Sequence, residues 1–192
     1  VFLCVDDTMV SKSGKKFENV SKLFNHAAHN GSNYLNGHCF VSIMLCVPVL
    51  DHDKISYLSV PLGYGYRMWQ KKESKLELAA SMIRQVMPEF LSKEHVIILC
   101  DSWYTKKNLV SIIDEYPNLD LIGNARIDSV MYDLAPERTG RRGRPAKHGK
   151  RLCVETDFTF SKEKIGDYYT GVRRVFTKIF GDREVLAYVT DT

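Results

Sequence analysis

The chain has 192 residues, 44% of them hydrophobic and 11% aromatic; this excludes a disordered tail, a collagen-like chain and a disulfide miniprotein, and is enough for one domain with a real core. Lysine and arginine number 27 against 23 aspartates and glutamates, a formal net charge of +4. Seven of those cations (Arg138, Arg141, Arg142, Arg144, Lys147, Lys150, Arg151) fall in one acid-free segment, so the remainder is slightly acidic and a diffuse polyanion-coating surface is excluded.

No apolar run reaches the roughly 18 residues of a membrane span, and no signal peptide opens the chain. The five cysteines (Cys4, Cys39, Cys46, Cys100, Cys153) are odd in number and lack a C-x-x-C pair. They lie mostly inside apolar runs, read as reduced, buried cysteines of a cytoplasmic protein and argue against zinc. The chain starts without methionine inside an apolar run, as expected of a piece of a longer protein.

In chain order, Val1–Val5 (VFLCV) predicts a strand buried on both faces and ending at Asp6-Asp7-Thr8. Ser21–Asn30 predicts a short helix. His38–Leu50 and Ile55–Gly65 predict a hairpin turning at Asp51-His52-Asp53. From Lys71 to Phe90, residues Leu76, Ala79, Ala80, Ile83, Val86, Met87 and Phe90 share one helical face. Val96–Cys100 (VIILC) predicts a strand stopped by Asp101, and Thr105 is read as the cap of a helix from Lys106 to Tyr116. Leu119–Ala125 predicts a further strand. Beyond it a basic loop runs to Leu152, and Leu152–Phe160, Tyr168–Phe180 and Glu184–Val189 read as antiparallel strands. Three strands on short links followed by strand–helix alternation predict an α/β fold: a mixed sheet with flanking helices, and an antiparallel β insertion in the C-terminal part. The expected division is 1–126 for the first part and 127–192 for the basic loop and insertion.

Acid placement is the most informative feature. Two apolar strands run into aspartates, Asp6-Asp7 and Asp101, although an unpaired buried carboxylate is costly. Carboxylates converging at a sheet edge suit hard divalent cations, and two such ions can activate a water or a 3′-hydroxyl for phosphodiester chemistry. Each aspartate also reads as an ordinary turn residue, and Asp101 as a helix cap. Strand alternation lets only one of Asp6 and Asp7 face the site, and Asp7 is favoured.

These residues resemble the DDE transposases of bacterial insertion sequences, in particular the "insertion sequence four" type. The resemblance is carried by VFLCVDDTMVSKSGKKFENV, GHCFVSIMLCVPV, VIILCDSWYTKKNLV and LIGNARIDSVMYDLAPERTGRRGRPAKHGKRL, in that order over nearly the whole chain. It implies a ribonuclease H-like catalytic core, with Asp7 of Asp7-Thr8 as the first catalytic acid and Asp101 as the second, both ligands of Mg²⁺ or Mn²⁺. It further implies DNA nicking and strand transfer on double-stranded DNA (transposon ends and target), by a homodimer in the bacterial cytoplasm at the nucleoid. The family's third acid is a glutamate on a helix after the last insertion strand. That strand matches EVLAYVTDT here, so the glutamate and its helix are expected to be absent, with Glu184 and Asp191 poor substitutes. The alternatives are a non-catalytic DNA-binding remnant and a metal-dependent nuclease of the same fold.

The basic segment Gly140–Lys150 (GRRGRPAKHGK) has an Arg-Gly-Arg-Pro core resembling an AT-hook. Arg141, Arg142, Arg144, Lys147 and Lys150 are the candidate DNA contacts, against the alternative of a solvated loop. His26 and His29 lack a third ligand, and no phosphate-binding glycine–lysine motif supports ATP use. Trp103 and Tyr104 read equally as base-stacking groups or as packing against the following helix. Lys106 and Lys107 read as surface lysines.

Overall fold

In a computed structural model of the chain, the residues described are 1–14, 16–24, 33–52, 54–70, 72–126, 128–137 and 143–191, with backbone only at 63–66. They divide into two compact units, Val1–Ala125 and Arg126–Thr192.

The first unit is built on one mixed sheet. Its strands are β1 (Phe2–Ser11), β2 (Ser21–Phe24), β3 (Tyr34–Asp51), β4 (Lys54–Met68), β5 (Val96–Cys100) and β6 (Leu119–Gly123). The order is β2-β3-β1-β5-β6, with β4 also paired to β3. The hairpin β3–β4 turns at His52, whose φ of 44° lies in the left-handed region. β1 runs antiparallel to β3 from Phe2↔Cys46 to Ser11↔Gly37, and parallel to β5 from Phe2↔Ile97 to Val5↔Cys100. β5 and β6 are also parallel.

Helix α1 (Lys75–Val86) starts at a capping box, in which the Ser74 hydroxyl accepts from the Glu77 N–H and the Glu77 carboxylate accepts from the Ser74 N–H. It buries Leu76, Ala79, Met82, Ile83 and Val86 in one cluster with Leu3, Val5, Val41, Ile43 and Ile98 of the sheet. Each buried leucine, isoleucine or valine of this layer contributes roughly 1.5–3 kcal/mol. The short helix α2 (Lys107–Val110) continues as a 3-10 turn over Ser111–Asp114 and adds Leu109 and Ile112 to that cluster.

The second unit holds the antiparallel strands β7 (Met131–Tyr132), β8 (Tyr169–Thr177) and β9 (Arg183–Asp191) around Leu152, Phe158 and Val175, with one helical turn, α3 (Val154–Asp157). The architecture is therefore the expected mixed α/β sheet with a separate antiparallel sheet. Among the described residues no helix is long and apolar enough to cross a membrane.

Four local expectations need correction. Residues Ser21–Phe24 form a strand and not a helix, because β4 joins β3 only from Phe40 and leaves the β3 edge at Tyr34–Gly37 open for β2. The rest of that stretch, with His26 and His29, lies outside the described residues. Thr105 does not cap α2: the helix begins at Lys107, and the Thr105 hydroxyl donates to the carbonyls of Ser102 (3.1 Å) and Asn124 (2.7 Å). Leu152–Phe160 is not a strand. The Asp157 carboxylate accepts from the Cys153 N–H at 2.9 Å and closes a helical turn there. Finally, β1 does not stop at Asp6-Asp7. Its pairing with β3 continues to Ser11, so the backbone beyond Val5 remains satisfied without β5.

Candidate metal and DNA-cleavage site

The register of β1 against β5 makes the site. β5 ends at Cys100 opposite Val5, while β1 runs on through Asp6 and Asp7. Both aspartates thus lie past the end of β5, beside the turn that Asp101 opens. Leu3 and Val5 point into the core, and strand alternation puts Asp7 on that same face, toward α1. Asp6 points the other way, is exposed, and accepts the Asp7 N–H at 2.8 Å. Of the two aspartates, Asp7 is the one on the α1-facing side of β1.

Three groups from distant parts of the chain meet Asp7. The Lys75 ammonium donates to Oδ2 at 2.7 Å, the Cys39 thiol donates to the same oxygen at 3.2 Å, and the Tyr104 hydroxyl donates to Oδ1 at 3.1 Å. The Lys75 and Asp7 side chains are only 17% and 14% exposed, so solvent screens this ion pair weakly. Burial pulls the Lys75 ammonium down, but the Asp7 carboxylate outweighs it and the net shift is upward. Burial, with the charge of Asp7, pushes the Cys39 thiol up to about 11 and the Tyr104 hydroxyl far above its ordinary range. At neutral pH all three therefore keep their protons and remain donors to one carboxylate.

Asp101 is held differently. Its Oδ1 accepts from the N–H groups of Trp103 (3.0 Å) and Tyr104 (3.2 Å), and its carbonyl accepts from Tyr104 and Thr105. The carboxylate is thereby fixed by its own turn and is not a helix cap. The side chain is exposed, and Oδ2 has no hydrogen-bond partner among the described residues. The same turn carries Tyr104 into the core, 1% exposed, where it reaches Asp7. One short loop thus sets both aspartates. Among the described residues no group of three His, Cys, Asp or Glu side chains forms a complete metal cluster.

A family model described as DDE superfamily endonuclease matches residues 1–170. The chain belongs to that family. It is a DDE transposase-type domain, and enzymes of this superfamily cleave DNA with divalent metal ions. No curated protein and no solved structure matches the chain.

Other sequence candidates of the DDE domain fall out as follows. Tyr104 does not stack on bases, because it is buried against Asp7. Trp103 is half-buried, with the Lys106 ammonium 4.7 Å and the Lys75 ammonium 5.2 Å from its ring centre. Arg144 is exposed. Lys147 and Lys150 are exposed but paired, with Asp182 at 2.8 Å and Asp157 at 2.6 Å. Arg141 and Arg142 lie outside the described residues.

Lys75, Cys39 and Tyr104 are the site residues that sequence reasoning missed as partners of Asp7. Lys75 left one signal. A cation in the first turn of a helix opposes the helix dipole, so its presence there asks for a compensating anion. Cys39 and Tyr104 gave none, since Cys39 sits in an apolar run and Tyr104 reads as base stacking or helix packing.

Proposed function

We propose that this domain is the catalytic core of a cut-and-paste DNA transposase of the insertion-sequence type, in which Asp7 and Asp101 hold Mg²⁺ or Mn²⁺. One observation carries the reading: the parallel register that ends β5 opposite Val5 and so brings both aspartates to the same end of β5. The donor set suits the ion. Both ligands are hard carboxylate oxygens, and the ammonium seated on Asp7 marks that position as one that favours positive charge. A bound divalent cation supplies activation of a water or 3′-hydroxyl and stabilisation of the leaving oxygen. The protein's part is orientation. Tyr104 fixes one oxygen of Asp7, and the Asp101 turn uses one oxygen of its carboxylate and leaves the other for a ligand. A third carboxylate would complete the site, since none joins the two among the described residues.

In this reading the basic segment, with Arg141, Arg142, Arg144, Lys147 and Lys150, contacts DNA phosphates, and two copies of the protein act on paired ends before joining them to target DNA. The test is Asp7→Asn and Asp101→Asn in the intact protein, with nicking and joining of end-bearing duplex DNA followed in Mg²⁺ or Mn²⁺. Both variants should lose cleavage and keep DNA binding. Cutting at the normal rate by either would refute its assignment. Cleavage by the unaltered protein without any joined product would instead make it a nuclease of this fold.

A further inference from the structure

The proposed metal ligand Asp7 is not a bare carboxylate. Its Oδ2 already holds the Lys75 ammonium at 2.7 Å, with both side chains largely shielded from water. A divalent ion taking that oxygen would sit against the ammonium, and two cations so close in a poorly screened place repel strongly. One must give way. Lys75 is the first residue of α1 and carries a flexible four-carbon stem, so it can turn without moving the helix. Its ammonium also has somewhere to go. The indole rings of Trp69 and Trp103 lie with their centres 6.0 and 5.2 Å from it, and a cation over an indole face is stabilised. Trp69 is itself anchored, its Nε1 donating to the Glu73 carbonyl and its backbone N–H to the Cys39 carbonyl, each at 2.7 Å. Lys106 already occupies the Trp103 ring at 4.7 Å, which leaves Trp69 as the less contested face.

We infer that Lys75 is a built-in counter-ion that holds the cation position at Asp7 in the metal-free protein and must swing toward the tryptophan rings for a divalent metal ion to be held there. The inference rests on the reading of Asp7 as a metal ligand. Its consequence is competition: the apparent metal affinity equals the intrinsic affinity reduced by the stability of the Lys75–Asp7 pair. The pair also keeps the half-buried carboxylate compensated until metal arrives, which an unpaired aspartate would not be.

The chain contains two tryptophans, and they are the two beside Lys75, so its movement has an intrinsic reporter. MnCl₂ is titrated into the full chain while tryptophan emission is recorded and free Mn²⁺ is counted by electron paramagnetic resonance. In the unaltered protein the emission should change with the same midpoint as binding. Lys75→Gln should bind Mn²⁺ about tenfold more tightly, as expected for an ion pair between the exposed and buried extremes, and should lose most of the emission change. Lys75→Arg, which keeps the charge, should bind no more tightly than the unaltered protein. Binding without an emission change in the unaltered protein would overturn the inference, and that measurement does not depend on any variant folding. Equal or weaker binding by a folded Lys75→Gln, with Asp7→Asn abolishing binding, would overturn it too and leave the metal reading intact. Normal Mn²⁺ binding by Asp7→Asn and Asp101→Asn would instead remove the metal reading itself.

Discussion

Replacing Gly123 with alanine tests whether the turn that carries Asp101 and Tyr104 is locked from below. Gly123 ends β6 opposite Cys100, and a Cβ added there would meet the Thr105 Cγ2 at 2.1 Å, the Cys100 Sγ at 3.1 Å and the Cys100 carbonyl oxygen at 3.2 Å. Carbon atoms in contact prefer about 3.5–4.0 Å, so Thr105 must move by more than an ångström. It has little freedom to do so. It is 3% exposed and β-branched, and its hydroxyl holds the carbonyls of Ser102 and Asn124. Overpacking costs about 1–3 kcal/mol and a lost hydrogen bond about 0.5–1.5 kcal/mol, so Gly123→Ala should destabilise by about 2–4 kcal/mol. Thr105→Ser removes the offending methyl and keeps the hydroxyl. In that background the same alanine should cost only about 1 kcal/mol, from the remaining contacts with Cys100. Urea unfolding of the four proteins followed by circular dichroism gives the coupling directly. Metal-dependent cleavage should fall in Gly123→Ala and recover in the double variant, because the turn orients both aspartates. An alanine penalty equal in the two backgrounds, or below about 0.5 kcal/mol in the first, would refute the reasoning.

Tyr104→Phe deletes the hydroxyl that donates to the Asp7 Oδ1 at 3.1 Å. It should cost about 1–2 kcal/mol in urea unfolding and lower the cleavage rate while leaving DNA affinity unchanged; an unaffected rate would mean that Asp7 needs no such positioning. Asp157→Asn and Asp182→Asn together release Lys150 and Lys147 from their ion pairs. If those lysines meet phosphates, DNA affinity should rise and the slope of log affinity against log salt should steepen by up to about 2. An unchanged slope in a salt titration would take both lysines out of the DNA interface.

Several parts of this architecture were legible in the chain itself. The run Val96–Cys100 is a strand with the bounds its apolar residues suggest, and α1 buries the face that its periodicity marks. A buried parallel strand needs unbroken apolar residues and a buried helix face needs them three and four apart, so both leave patterns that local reading detects. Leu152–Phe160 failed for the same reason in reverse. Its alternation imitates a strand, yet a side-chain bond from Asp157 to the Cys153 N–H favours a turn, and such a bond depends on one geometry and not on a repeating pattern. The strand Ser21–Phe24 was missed because its existence depends on an open edge of β3, which is a property of the partner.

The sequence by itself determined that aspartates follow two apolar runs, and that seven cations gather in one segment. Only the tertiary structure decided what surrounds those charges. Lys75 and Tyr104 reach Asp7 from 68 and 97 residues away, and Asp182 reaches back 35 residues to neutralise Lys147 in a segment that contains no acid of its own. The physical reason is that charge counts and periodicities are local sums along the chain. Ion pairs and hydrogen bonds depend on distances of a few ångströms through space, and those exist only once the strands have taken their register.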